Sequence, residues 1–169
     1  MNISVRNSLI AVILILAAVT AISLGRRSGA IRQPILFNHN LHIDEVDLQC
    51  TDCHQQVEVH QRATLPAIEV CQDCHSEALT ETVAEEKLLA YTTTDAAIPW
   101  QRIYTVPDHV YFSHRRHVTL GDLDCELCHG SVADMTVPAE YPAMEMSMDF
   151  CVDCHTERQI TTDCLSCHI

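Results

Sequence analysis

Lysine occurs once in this chain, at Lys87, glycine four times, and aromatic residues make up 5% of the 169 residues. Lysine and arginine together number 10 against 23 aspartates and glutamates, a formal net charge of −13. Phosphate binding needs clustered cations, so nucleic acid is excluded as a partner class. A basic docking partner fits the charge better, through electrostatic steering. So few aromatics leave little with which to pack a conventional core in what is, by length, about one domain.

What the chain has instead is cysteine, in one pattern. Cys50-Thr51-Asp52-Cys53-His54 recurs in outline as Cys71–His75, Cys125–His129, Cys151–His155 and Cys164–His168. Each copy reads Cys-x-x-Cys-His, the attachment pattern of c-type haem. Two thiols one helical turn apart add to the vinyl groups of one porphyrin, and the adjacent histidine lies beneath the ring as an iron ligand. The five copies use all ten cysteines (Cys50, Cys53, Cys71, Cys74, Cys125, Cys128, Cys151, Cys154, Cys164 and Cys167), which leaves none for disulfides. Zinc knuckles and redox dithiols also use Cys-x-x-Cys, but neither requires a histidine after the second cysteine every time. Five covalently attached haems c are therefore expected, bound through His54, His75, His129, His155 and His168. Their apolar faces replace the missing aromatic side chains as the core. The expected fold is mostly α with extensive loop, strapped around the haems.

Asn7 to Gly25 carries no charge. A bilayer-spanning helix needs about 20 apolar residues, with a range of roughly 17–25. Residues 1–27 are expected to form a retained transmembrane anchor. The rival reading is a cleaved signal peptide, with Val19-Thr20-Ala21 as a weak cleavage site. Arg26, Arg27 and Arg32 follow the segment, and the positive-inside rule would draw them to the cytoplasm. Haem attachment takes place outside the cytoplasmic membrane and overrides that bias. The haem-bearing part is expected in the periplasm or exterior, with Met1 cytoplasmic.

The rest of the chain is a duplication. Phe37-Asn38-His39-Asn40-Leu41-His42 and Phe112-Ser113-His114-Arg115-Arg116-His117 stand 75 positions apart, and the same offset relates Cys50 to Cys125 and Asp47-Leu48 to Asp122-Leu123. Pro66-Ala67-Ile68-Glu69 before Cys71 matches Pro142-Ala143-Met144-Glu145 before Cys151. The expected boundaries are a first, two-haem unit over 28–76, an acidic helix and extended connector over 77–110, and a second, three-haem unit over 111–169. Within the connector, Glu77–Tyr91 reads as one exposed helix with its apolar residues against a haem. Pro99 and Pro107 bracket an extended stretch.

Two histidines three apart on a helical turn point the same way and can serve two neighbouring haems. His39 is assigned to the His54 haem and His42 to the His75 haem. By the repeat, His114 serves the His129 haem and His117 the His155 haem. The His168 haem has no ligand in this scheme. The second unit carries four extra residues beside Met146-Ser147-Met148, so Met148 is the expected ligand, with Met146 and Met144 behind it. Methionine ligation raises haem potential. His60 and His109 are the rivals.

Phe-x-His-x-x-His before Cys-x-x-Cys-His resembles the class III multihaem cytochromes c. The stretches Ile98–Arg102, Pro107–His114 and Met148–His155 are most similar to the membrane-anchored pentahaem subunit of alternative complex III. The resemblance implies an electron wire on the outer face of a quinol-oxidising respiratory or photosynthetic complex. Its partners would be an iron–sulfur protein, a quinol-site membrane subunit and a monohaem cytochrome. Electron transfer without substrate chemistry is the expected role. The alternatives are a multihaem reductase with one open haem, a free membrane-tethered shuttle, and quinol oxidation at the anchor itself.

Overall fold

The structure is a computed structural model that describes residues 7, 10–17, 20 and 29–168. The chain divides into two units, Met1–Ile31 and Arg32–Ile169. In the first, residues 10–17 are helical, and their apolar side chains stand exposed, Leu14 at 64%. Among the described residues no helix is long and apolar enough to cross a membrane. Most of the expected anchor lies outside the described residues.

The second unit is short helices joined by loops, without a strand among its described residues. Conventional packing is nearly absent. The buried apolar side chains are Ile35, Val57 and Ile68, and no described side chain is fully enclosed. Among the described residues these three make a small core with which to offset conformational entropy.

Each Cys-x-x-Cys-His forms a helical turn. The histidine N–H donates to the carbonyl of the first cysteine at 2.9 Å for His54–Cys50, 2.8 Å for His75–Cys71 and 2.9 Å for His129–Cys125 and His168–Cys164. Two of these turns are free-standing, Cys50–Cys53 and Cys164–Cys167, and a third is the Glu126–His129 helix. Cys151 and His155 lie within the longer Met148–Glu157 helix, which Ser147 caps by accepting from the Phe150 N–H at 3.2 Å. Gln49 caps the first motif reciprocally with Asp52, whose carboxylate accepts the Gln49 N–H at 2.7 Å. That is a capping box.

The duplication is visible in the backbone. Leu41–Glu45 and Arg116–Leu120 are both π-helical turns, a wide geometry that recurs at functional sites. Asp47 and Asp122, equivalent in the repeat, both hold left-handed backbone, φ 61° and 50°. Aspartate tolerates that region better than most residues. The chain then turns back, and Leu48 and Leu123 donate to the His42 and His117 carbonyls, each at 3.1 Å.

The halves are joined by main-chain hydrogen bonds. His114 N–H donates to the Gln61 carbonyl at 2.9 Å, Arg115 N–H to His60 at 3.2 Å and Asn40 N–H to Met135 at 3.1 Å. Thr119 Oγ1 donates to the Glu58 carbonyl at 2.7 Å. The connector helix runs Val83–Thr92, shorter than the expected Glu77–Tyr91 and later in starting, because Thr82 caps it by accepting from the Glu85 N–H. Its buried residues are Glu85 and Thr92, while Val83 is 68% exposed.

Candidate haem-binding sites

The π-helical turns aim the two histidine pairs. Asn38 accepts the Leu41 N–H on its side chain at 3.0 Å, and its carbonyl lies 2.7 Å from His42 Nδ1. Ser113 does the same in the second copy, with its carbonyl 2.8 Å from His117 Nδ1. A carbonyl partner requires Nδ1 to carry the proton, which leaves Nε2 free to bind a metal. Phe37 stacks on His42 at 4.4 Å and meets His39 edge-on at 4.8 Å. Phe112 repeats this with His117 at 4.6 Å and His114 at 4.9 Å. One phenylalanine thus fixes both imidazoles of each pair.

Two imidazoles bound through Nε2 to opposite faces of one iron, each at about 2 Å as in other metal–histidine bonds, hold their ring centroids about 6 Å apart. His42 and His75 are 6.3 Å apart, His114 and His129 6.4 Å, and His117 and His155 6.2 Å. The residues present therefore fit haem. His39 lies within electrostatic reach of His54: burial first, then His54 and His42, together lower its pKa to about 4. Its Nδ1 is buried without a hydrogen-bond partner.

The fifth motif is met by a ring that the repeat does not supply. Val110 and His168 form an isolated antiparallel bridge, and the Tyr111 N–H donates to the Cys167 carbonyl at 2.7 Å. This sets the His109 ring 5.5 Å from His168, nearly parallel at 21°. Met148, the expected ligand, opens the Met148–Glu157 helix with 66% of its surface exposed, and Met144 is 42% exposed. His60 is exposed and takes part through its carbonyl, which holds Arg115. The sequence carried a signal for His109. Its repeat counterpart is Pro34, so the unmatched motif and this unmatched histidine occur in the same half.

Two sequence comparisons bear on these sites. Residues 35–88 and 110–169 match the family described as cytochrome c7 and related cytochrome c. The chain belongs to that family. The two matched stretches each hold one Phe-x-His-x-x-His turn and the motifs that follow it. The chain is also 30% identical over 160 residues to the multihaem cytochrome c subunit of menaquinone reductase from Nitratidesulfovibrio vulgaris. That alignment covers 80% of this chain and 76% of the relative. The protein is thus a multihaem cytochrome c, and its haems are covalently bound.

Before haem is attached, the thiols of this cytochrome c7-type chain report which motifs adjoin. Burial raises the Cys125 pKa, and the Cys50 thiol, hydrogen-bonded to it, raises it further. Burial and then the neighbouring Cys53 raise Cys71. Cys128 is raised by burial, then by Cys154 and Cys151, and Cys151 by burial, then by Cys167. The motifs thereby fall into a row in the order His75, His54, His129, His155, His168. The duplication joins at the middle of this row, through Cys50 and Cys125.

Hydrogen bonds behind the motif histidines differ along the row. His54 Nδ1 lies 3.3 Å from the Thr64 carbonyl and His155 Nδ1 2.9 Å from the Thr161 carbonyl. Burial lowers the His129 pKa, with His114 and His54 adding to it, and Tyr104 packs edge-on against this ring at 4.6 Å. The Tyr104 hydroxyl donates to the Cys128 carbonyl at 3.2 Å and accepts the Ala143 N–H at 2.7 Å. No motif pointed to Tyr104, which has Gly29 as its repeat counterpart.

Proposed function

We propose that this chain is a pentahaem electron conductor in a quinone-linked membrane complex, with its haem-bearing part on the outer face. The observation that carries the reading is the pairing of imidazoles. His42, His114, His117 and His109 face His75, His129, His155 and His168, and His39 lies within electrostatic reach of His54, so each motif histidine would have a second histidine to share its iron. An iron held on both faces exchanges single electrons and offers no site for substrate. The protein's own part is to hold the ligands in place. Phe37 and Phe112 lock the rings, and carbonyls fix the tautomer. Adjoining motifs give electrons a path from haem to haem.

The quinone link rests on the relative's name and on the resemblance to the alternative complex III subunit, since both are cytochromes of quinone-linked assemblies. The two differ in the direction of flow, quinone reduction against quinol oxidation. Purification from membranes in mild detergent, followed by mass spectrometry of what accompanies the chain, tests the reading. Recovery with iron–sulfur and polytopic membrane subunits supports it, and reduction of added menaquinone against oxidation of menaquinol then fixes the direction. Recovery of the chain alone would replace it with a tethered shuttle. Binding of carbon monoxide by the reduced protein would open the reductase reading instead.

A further inference from the structure

One histidine in the row is backed differently from the rest. His75 Nδ1 lies 2.8 Å from Glu85 Oε1, and the Glu85 side chain is 8% exposed. The same oxygen accepts the Leu79 N–H at 3.4 Å. Among the described residues every other hydrogen bond between a histidine Nδ1 and an oxygen goes to a main-chain carbonyl. The repeat supplies an internal comparison. His155 is the counterpart of His75 by order in its unit, and it has the Thr161 carbonyl where His75 has a carboxylate.

The connector helix is built to deliver this group. Thr82 caps it and fixes its first turn, where Glu85 sits. At the far end Gln72, in the Ile68–Gln72 helix that carries Cys71, donates to the Thr92 carbonyl at 2.8 Å. Glu85 and Thr92 are seven positions apart, two helical turns, so one face of the helix meets the His75 motif. Burying a carboxylate is costly unless it is hydrogen-bonded, and here it accepts both a ring N–H and a main-chain N–H. Its neighbour Glu86 is exposed.

We propose that Glu85 is a positioning residue that lowers the reduction potential of the haem bound by Cys71, Cys74 and His75. The proposal rests on His75 being an iron ligand. A carboxylate accepting the Nδ1–H pulls that proton from the ring and makes Nε2 a stronger donor. A stronger donor, with a negative charge behind it in a water-poor site, favours ferric over ferrous iron. Gaining one electron then becomes harder at this iron than at those backed by carbonyls. An electron delivered there by a sufficiently reducing donor then runs downhill to the neighbouring haems.

Glu85→Gln keeps the shape and an acceptor oxygen but removes the charge. Outer-shell partners shift metal binding by about 10–100-fold. A tenfold loss of ferric preference raises a one-electron potential by about 59 mV. Spectropotentiometric titration of the haem-loaded chain should show one haem rising by that order in E85Q. Glu86→Gln, which removes the same charge one residue away, should leave all potentials in place. Unchanged potentials in E85Q, or an equal shift in E86Q, overturn the proposal. The reduced wild-type protein gives a second reading that needs no variant. In ¹⁵N-histidine-labelled protein one Nδ1–H should resonate well downfield of the others; the lack of such an outlier overturns the proposal too. The underlying assignment fails separately, if His75→Met leaves every haem spectrum unaltered.

Discussion

Replacing His109 by alanine tests the axial pairing at its least regular point. The ring faces His168 at 5.5 Å. The segment is docked by main chain, through the Val110–His168 bridge and the 2.7 Å bond from Tyr111 to Cys167. Alanine removes the imidazole and leaves those bonds intact, so the motif stays attached to the connector. On the proposed pairing, one iron of five loses a ligand while the other four keep theirs. Carbon monoxide binding by the reduced protein should rise from near zero to about one equivalent per chain, because an open distal position is what a diatomic ligand needs. About a fifth of the ferric haem should turn high-spin by electron paramagnetic resonance. Met148→Ala, at a side chain 66% exposed, should change neither readout. The reverse result, with H109A silent and M148A opening one haem, would refute the pairing and restore methionine as the ligand.

Three further outcomes are expected. Gly130 has φ 66° and ψ −169°, and a Cβ there would stand 3.0 Å from the Ala143 Cβ, so Gly130→Ala should cost about 1–3 kcal/mol in chemical denaturation. Tyr104→Phe removes the hydroxyl shared by the Cys128 carbonyl and Ala143 N–H, and should cost about 1–3 kcal/mol with five haems retained by intact mass. Burial holds His39 near 4, below its ordinary 6.5, and lowers His114 and His129 as well. The folded rings refuse a proton that the released rings accept, so their contribution to stability is complete above pH 6.5 and shrinks as pH falls toward 4. The denaturation midpoint should therefore be flat from pH 7 to 8 and fall between 6.5 and 5; a midpoint that rises on acidification contradicts the burial of these rings.

The sequence spoke most clearly where spacing is itself chemistry. Cys-x-x-Cys-His closes one helical turn by local hydrogen bonds, so its geometry needs no knowledge of the fold. The pairs His39/His42 and His114/His117 stood out because a duplication shows the same pattern twice. His109 was harder to read. Its position beside His168 depends on a bridge between residues 58 apart, and no periodicity encodes that. The inserted methionines drew attention because they adjoin Cys151 in sequence, and Met148 opens the helix that carries that motif. Glu85 was hidden for a related reason. In a stretch as acidic as Glu77–Glu86 every carboxylate looks solvated, and only the packing of the helix on Ile68–Gln72 selects one to be buried.

The main-chain bonds from Gln61 and His60 to His114 and Arg115 bear on how such a protein is assembled. The distal histidine of the second half is held by a loop of the first, while Asn40, beside His39, is held by Met135 of the second. Each half therefore braces the histidine turn of the other, so a change that loosens one of these loops should be felt at the histidines of both. The repeats are alike in sequence, and this exchange of supports ties them into one compact unit.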